Sequence, residues 1–179
     1  AARRMAGERN LELRMILPDA RLAEVARSLL PPGTALEIQI GQLAEALARA
    51  DLAIACTGTV TMECAFFGVP TVALYKTSRV TYEIGKRIVQ VSYLAMPNIL
   101  AGQALYPEFI QHAATPENIA RAAMELLSDE PRRKEIKAKL AKLIRSLGPP
   151  GAIRRAARAI VDLMESEASQ FPLRAHLVD

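Results

Sequence analysis

Short apolar runs alternate with amphipathic stretches along most of this chain, which predicts strands and helices in alternation. Residues 11–17 read as a strand stopped by Pro18. Asp19 then caps a helix carrying Leu22, Val25, Ala26 and Leu29 on one face, ended by Pro31, Pro32 and Gly33. Leu36, Ile38 and Ile40 alternate as a second strand before Gly41, and Leu43, Leu47 and Ala50 mark a short helix. Ala53, Ile54 and Ala55 form the kind of apolar run that a sheet covered on both faces buries. Val60, Cys64 and Phe67 give the next helix its inner stripe, with Gly68 one residue past its end, and residues 71–74 make a β-branched-rich strand. Beyond Asn98 the pattern is irregular until Thr115-Pro116-Glu117, a helix start with a hydroxyl cap and proline in the first turn. Ile119, Ala122, Ala123, Leu126 and Leu127 form that helix's buried face. Pro131 opens a further helix with Ile136, Leu140, Leu143, Ile144 and Leu147 inward, stopped at Gly148. A last helix spans about residues 152–165, and a tail, residues 166–179, has little pattern.

Such alternation implies an α/β fold with parallel strands and right-handed crossovers, in which ligands bind beyond the C-terminal strand ends. Thr57-Gly58-Thr59 falls at one such end and supplies small side chains and free amides at a helix N-terminus, where the dipole favours an anion. Thr59 and Glu63 are four apart and share one helical face, so a phosphate at the turn would have a carboxylate beside it, able to accept from a sugar diol. The plainer reading is a capped helix whose first turns favour an acidic residue, and these residues alone leave both open. Lys76 and Arg79 fall beyond the next strand's end.

From that turn onward the chain resembles the C-terminal half of the lipid-A-disaccharide synthases, glycosyltransferases of two Rossmann-like domains (the GT-B arrangement). Four blocks carry the likeness, in order: Cys56-Thr-Gly-Thr-Val-Thr-Met-Glu63; Gly68-Val-Pro-Thr-Val-Ala-Leu-Tyr-Lys76; Pro97-Asn-Ile-Leu-Ala-Gly102; and Tyr106-Pro-Glu-Phe-Ile-Gln111 running on to Asn118. The first block is shared loosely with other UDP-sugar transferases; the third and fourth are far more selective. The resemblance implies a Rossmann-like parallel sheet flanked by helices over residues 1–165, lacking its first strand and the N-terminal acceptor domain. It implies an enzyme that transfers diacylglucosamine from UDP to diacylglucosamine 1-phosphate. Glu63 would take the ribose hydroxyls, Thr57, Gly58 and Thr59 would line the phosphates, and Asn98 would lie near the pyrophosphate or donor sugar. Lys76, Arg79 and Gln111 complete the expected substrate-binding set, and no catalytic residue is assigned to this portion. Thr57 stands where the family usually has serine, and Gln103 where a basic residue is common. The other readings are another UDP-sugar enzyme of the same architecture, of N-acetylglucosaminyl transferase or epimerase type, or a non-catalytic module for membrane or protein association.

Composition narrows this further. The 179 residues suffice for a self-standing core, and 51% hydrophobic with 4% aromatic residues describes an aliphatic α/β interior. No apolar window reaches bilayer-spanning length, and no signal-peptide pattern opens the chain, so a cytoplasmic place is expected, peripheral on the inner membrane face. The net charge of +4 comes chiefly from Lys and Arg after residue 130, which suit either a solvated helix surface or an anionic membrane surface. No stacking aromatics or recognition module accompany that charge, so nucleic acid is not an expected partner. Cys56 and Cys64 read as small core fillers, and His112 and His176 as surface residues. No Asp-x-Asp motif occurs, so neither metal nor cofactor is expected beyond the UDP-sugar substrate, with acylated glucosamine 1-phosphate as acceptor. An open sheet edge makes a homodimer possible in principle.

Overall fold

A computed structural model of the chain describes residues 11–78, 81–82 and 92–170. Among these, the elements run β1 (Arg14–Leu17), α1 (Ala20–Leu29), β2 (Glu37–Ile40), α2 (Leu43–Ala48), β3 (Ala53–Cys56), α3 (Thr59–Phe66) and β4 (Thr71–Tyr75). Then come α4 (Met96–Ala101), β5 (Glu108–Ile110), a 3-10 turn (Gln111–Ala113), α5 (Pro116–Ser128), α6 (Glu130–Ser146) and α7 (Ala152–Gln170). All strand pairs are parallel, as a crossover helix between successive strands dictates. The described strands fall into two sheets, β1-β2 and β3-β4-β5. The chain divides between Ser146 and Leu147 into two compact units, α7 lying in the second.

The local chemistry of the helix ends follows the sequence. Asp19 accepts from the Leu22 amide at 2.8 Å and Thr115 from the Asn118 amide at 3.2 Å, each satisfying an amide that the helix leaves orphaned. At the end of α3, Val69 N–H donates to Cys64 O (2.9 Å) and Gly68 N–H to Ala65 O (3.0 Å), a pairing that needs Gly68 at φ 66°. That tight reversal delivers the chain directly into β4.

β4 is the spine of the first unit: Thr71, Val72 and Ala73 are all fully buried. Val72, Ala73, Tyr106, Leu126 and Leu140 belong to a core shared with α5 and α6. A smaller cluster joins Leu47, Ala55, Cys64 and Val69. Burying a side chain such as Val72 contributes about 1.5–3 kcal/mol.

Several expected burials are corrected. Ile54 is 39% exposed and Cys56 is exposed, because β3 lies at the edge of its sheet among the described strands. Cys64 is buried as expected. The stripe of α1 is largely uncovered, with Leu22, Val25 and Leu29 exposed and Ala23 alone buried. In α3 it is Thr61, Cys64 and Ala65 that turn inward, while Phe67 pairs edge-on with the exposed Phe66 at 5.5 Å. Leu147 is exposed as well. His112 is exposed as expected, and His176 lies outside the described residues.

Candidate functional site

The C-terminal edge of β3-β4-β5 gathers most of the predicted residues. Cys56 pairs with Leu74 across β3 and β4, and Thr57 N–H extends that ladder by donating to Leu74 O at 2.9 Å. Lys76 follows the last residue of β4, at the same C-terminal edge. Thr57 therefore has only its hydroxyl to offer a ligand. Gly58 then adopts φ 137°, ψ −162°, a conformation that only glycine enters readily, and a Cβ there would meet nothing within 4 Å. The glycine is required by the backbone, and the space above it is open.

Thr61, fully buried, locks this turn. Its hydroxyl donates to Gly58 O at 2.6 Å and its amide to the same carbonyl at 3.1 Å. Among the described residues the amides of Gly58, Thr59 and Val60 have no partner, as the first amides of a helix must not unless something caps them. Glu63 sits one turn on, exposed, with no ion pair or hydrogen bond to its carboxylate among the described residues. A rise of four residues puts it about 6 Å along the helix from Thr59. Three orphan amides, two hydroxyls and a free carboxylate thus share one open edge, and Lys76 is exposed beside them. Chemically, the amides and lysine suit an anion, and the carboxylate suits neighbouring hydroxyls.

Gln111 is at this edge but is otherwise engaged. It follows β5, is only 8% exposed and stands at φ 51°, a left-handed conformation costing a non-glycine residue about 1–3 kcal/mol. Its Oε1 accepts from Thr77 N–H at 2.8 Å and its Nε2 donates to Thr77 O at 3.1 Å. Arg79 lies outside the described residues.

Asn98 is elsewhere. It is fully buried in α4, where Nδ2 donates to Tyr106 O (2.8 Å) and Glu108 Oε1 (2.7 Å) and Oδ1 accepts from the amides of Leu105 (2.9 Å) and Tyr106 (2.8 Å). All four hydrogen-bonding positions of its carboxamide are taken by protein, at the N-terminal end of β5. The expected contact with a pyrophosphate or donor sugar is therefore corrected: Asn98 closes the loop between α4 and β5. Glu108, which the sequence did not single out, completes that closure. Its carboxylate also accepts from the amides of Leu94 and Ala95 at 2.9 and 3.0 Å, holding the chain that enters α4 from thirteen residues downstream. No local spacing announces such a tie. The pair Pro97 and Gly102, near the two ends of α4, was the available signal for the helix itself.

A buried polar group lies below the sheet edge. Thr71 Oγ1 and Tyr106 Oη both donate to Val69 O, at 2.9 and 3.0 Å. Burial pushes the Tyr106 hydroxyl and the Cys64 thiol above their ordinary pKa values, Thr71 partly offsetting both. Among the described residues no three His, Cys, Asp or Glu side chains gather as a metal-binding group.

The chain matches the family model described as Lipid-A-disaccharide synthetase over residues 16–161. It is 41% identical over 135 residues to the lipid-A-disaccharide synthase of Syntrophus aciditrophicus (strain SB), covering 75% of this chain and 35% of that protein. It is 42% identical over 130 residues to that of Solibacter usitatus (strain Ellin6076), covering 72% and 34%. With the synthase of Alkalilimnicola ehrlichii the identity is 36% over 159 residues, covering 86% of this chain and 41% of the relative. The chain thus spans about a third to two fifths of the length of these curated relatives.

Proposed function

This chain belongs to the lipid-A-disaccharide synthase family, and on that premise we propose that it is the part of a glycosyltransferase that binds the UDP-activated donor. In this reading the enzyme moves diacylglucosamine from UDP to diacylglucosamine 1-phosphate. The observation that carries the reading is the open glycine turn at the C-terminal sheet edge, with three amides and, one turn on, a carboxylate that have no partner among the described residues. The amides of Gly58, Thr59 and Val60 and the hydroxyls of Thr57 and Thr59 would hold the diphosphate. Lys76 would balance its charge, and Glu63 would accept from the ribose hydroxyls. As the glycosidic oxygen leaves with UDP, charge grows on the phosphates, and donors already aimed there stabilise the transition state more than the ground state.

Nothing among the described residues is placed to take a proton from the acceptor hydroxyl, so this chain alone is expected to bind UDP and transfer no sugar. The anionic membrane surface is the partner we assign to the exposed basic side of α6. Among the described residues no helix is long and apolar enough to cross a membrane.

Calorimetry of the chain with UDP tests the site. Glu63→Ala should weaken binding about tenfold, the loss of one or two hydrogen bonds to a charged acceptor. Equal affinity in both proteins would remove Glu63 from the ribose role.

A further inference from the structure

We propose that Gln111 is a positioning residue for the phosphate edge, acting through Lys76 and not by touching the ligand. The inference rests on the nucleotide reading given above. At the end of β5 the backbone turns off the sheet through a left-handed residue, although no glycine is there. That turn brings the Gln111 side chain back onto the chain leaving β4, where one carboxamide engages both polar groups of Thr77. Residues 77 and 111 are 34 apart in sequence, so the bond ties two strand exits that would otherwise separate freely. Ile110 is the last residue of β5 paired with β4, opposite Tyr75, and the carboxamide supplies the interaction that a further rung would have made.

Lys76 lies between the last β4 residue and the clamped Thr77, so both of its flanks are held. Its side chain is exposed and enters no ion pair among the described residues. Holding the backbone leaves the ammonium fewer positions to sample at the C-terminal sheet edge that also carries the Gly58 turn. A pre-set cation loses less conformational freedom when an anionic diphosphate arrives. A left-handed glutamine persists where the surroundings compel it, and the two hydrogen bonds to Thr77 are what compel it here.

The test uses the full 179-residue chain in a double-variant cycle. Gln111→Gly removes the carboxamide while easing the backbone conformation, and Gln111→Ala is the harsher companion. In Gln111→Gly the Thr77 amide should exchange with solvent at least about tenfold faster, and trypsin should cut after Lys76 sooner. UDP affinity should fall about tenfold, close to the effect of Lys76→Ala, and the double variant should bind no more weakly than Lys76→Ala alone. Additive losses would make Gln111 a direct ligand and overturn the proposal. Full UDP affinity in Gln111→Gly, or unchanged Thr77 exchange, would overturn it as well. Should the unaltered chain bind no UDP while Thr77 still loses protection, the nucleotide reading fails and the positioning role falls with it, leaving a purely structural tie.

Discussion

Gly58 and Asn98 show how differently two residues of one motif set can serve. Gly58 is required for its φ of 137°, with open space where a side chain would go. Gly58→Ala should therefore act through backbone strain, costing about 1–3 kcal/mol of stability or forcing the turn to relax and close around its amides. Urea unfolding with parallel UDP calorimetry checks this; wild-type values in both would show the turn tolerates a Cβ. Asn98 is required for four hydrogen bonds made within the protein. Asn98→Ala would strand the amide and the carbonyl of Tyr106 in a buried place, while the Leu105 amide keeps its bond to Gln103 O at 3.0 Å. At about 1–3 kcal/mol for each of these two groups, partly relieved by relaxation, a loss of about 2–4 kcal/mol is expected. A loss below about 1 kcal/mol in urea unfolding would mean that water replaces the carboxamide and that the loop is not closed by it.

At the scale of elements, α6 carries the charge that composition alone could only count. Lys134 and Lys139 are tied to Glu130 and Glu135 at 2.7 and 2.6 Å, whereas Lys137, Lys142 and Arg145 are exposed and enter no ion pair among the described residues. If this side meets an anionic bilayer, each of those three contributes on the order of 1 kcal/mol. Reversing all three to glutamate should lower binding to anionic-lipid vesicles at least about a hundredfold and abolish its salt dependence. Vesicle sedimentation that does not distinguish the variant from the parent chain would remove α6 from that role. The helix was legible beforehand because its inward residues recur at helical spacing and its ends have local stops. The same holds for α1 and α5, whose caps lie within three residues of what they cap. α4 and β5 leave little local trace because β5 is three residues long and the chain entering α4 is held by a carboxylate thirteen positions away. The glycine turn of the site was legible because strand, turn and helix are contiguous. The clamp from Gln111 to Thr77 was not, since neither a left-handed φ nor a contact across 34 residues leaves a periodic trace. The uncovered faces of α1 and β3 show the other limit: an apolar stripe states that a face can be buried and not what buries it.

For the molecule as a whole, the buried hydroxyl and thiol beside Val69 make stability depend on alkaline pH. Tyr106 and Cys64 sit in adjoining parts of the core and both interact with Thr71. Burial raises both pKa values, so the native state holds these two protons more tightly than the unfolded chain does. Below about pH 8, a unit or more under their ordinary values of 9.0 and 10.0, Cys and Tyr are protonated in either state and the difference contributes almost nothing that varies with pH. Above it the unfolded chain releases the protons first, so it binds fewer than the native state and unfolding becomes easier. Each group can lower stability by up to about 1.4 kcal/mol per pH unit between its unfolded and folded values. Urea unfolding from pH 8 to 11 should thus show a falling stability that Tyr106→Phe and Cys64→Ala each make shallower, despite each lowering the stability at pH 8. Tyr106→Phe keeps the ring in the core and loses only the bond to Val69 O, which makes it the cleaner of the two. A slope unchanged in the double variant would assign the alkaline loss to other groups, and a stability flat to pH 11 would mean that the native core admits water to both side chains.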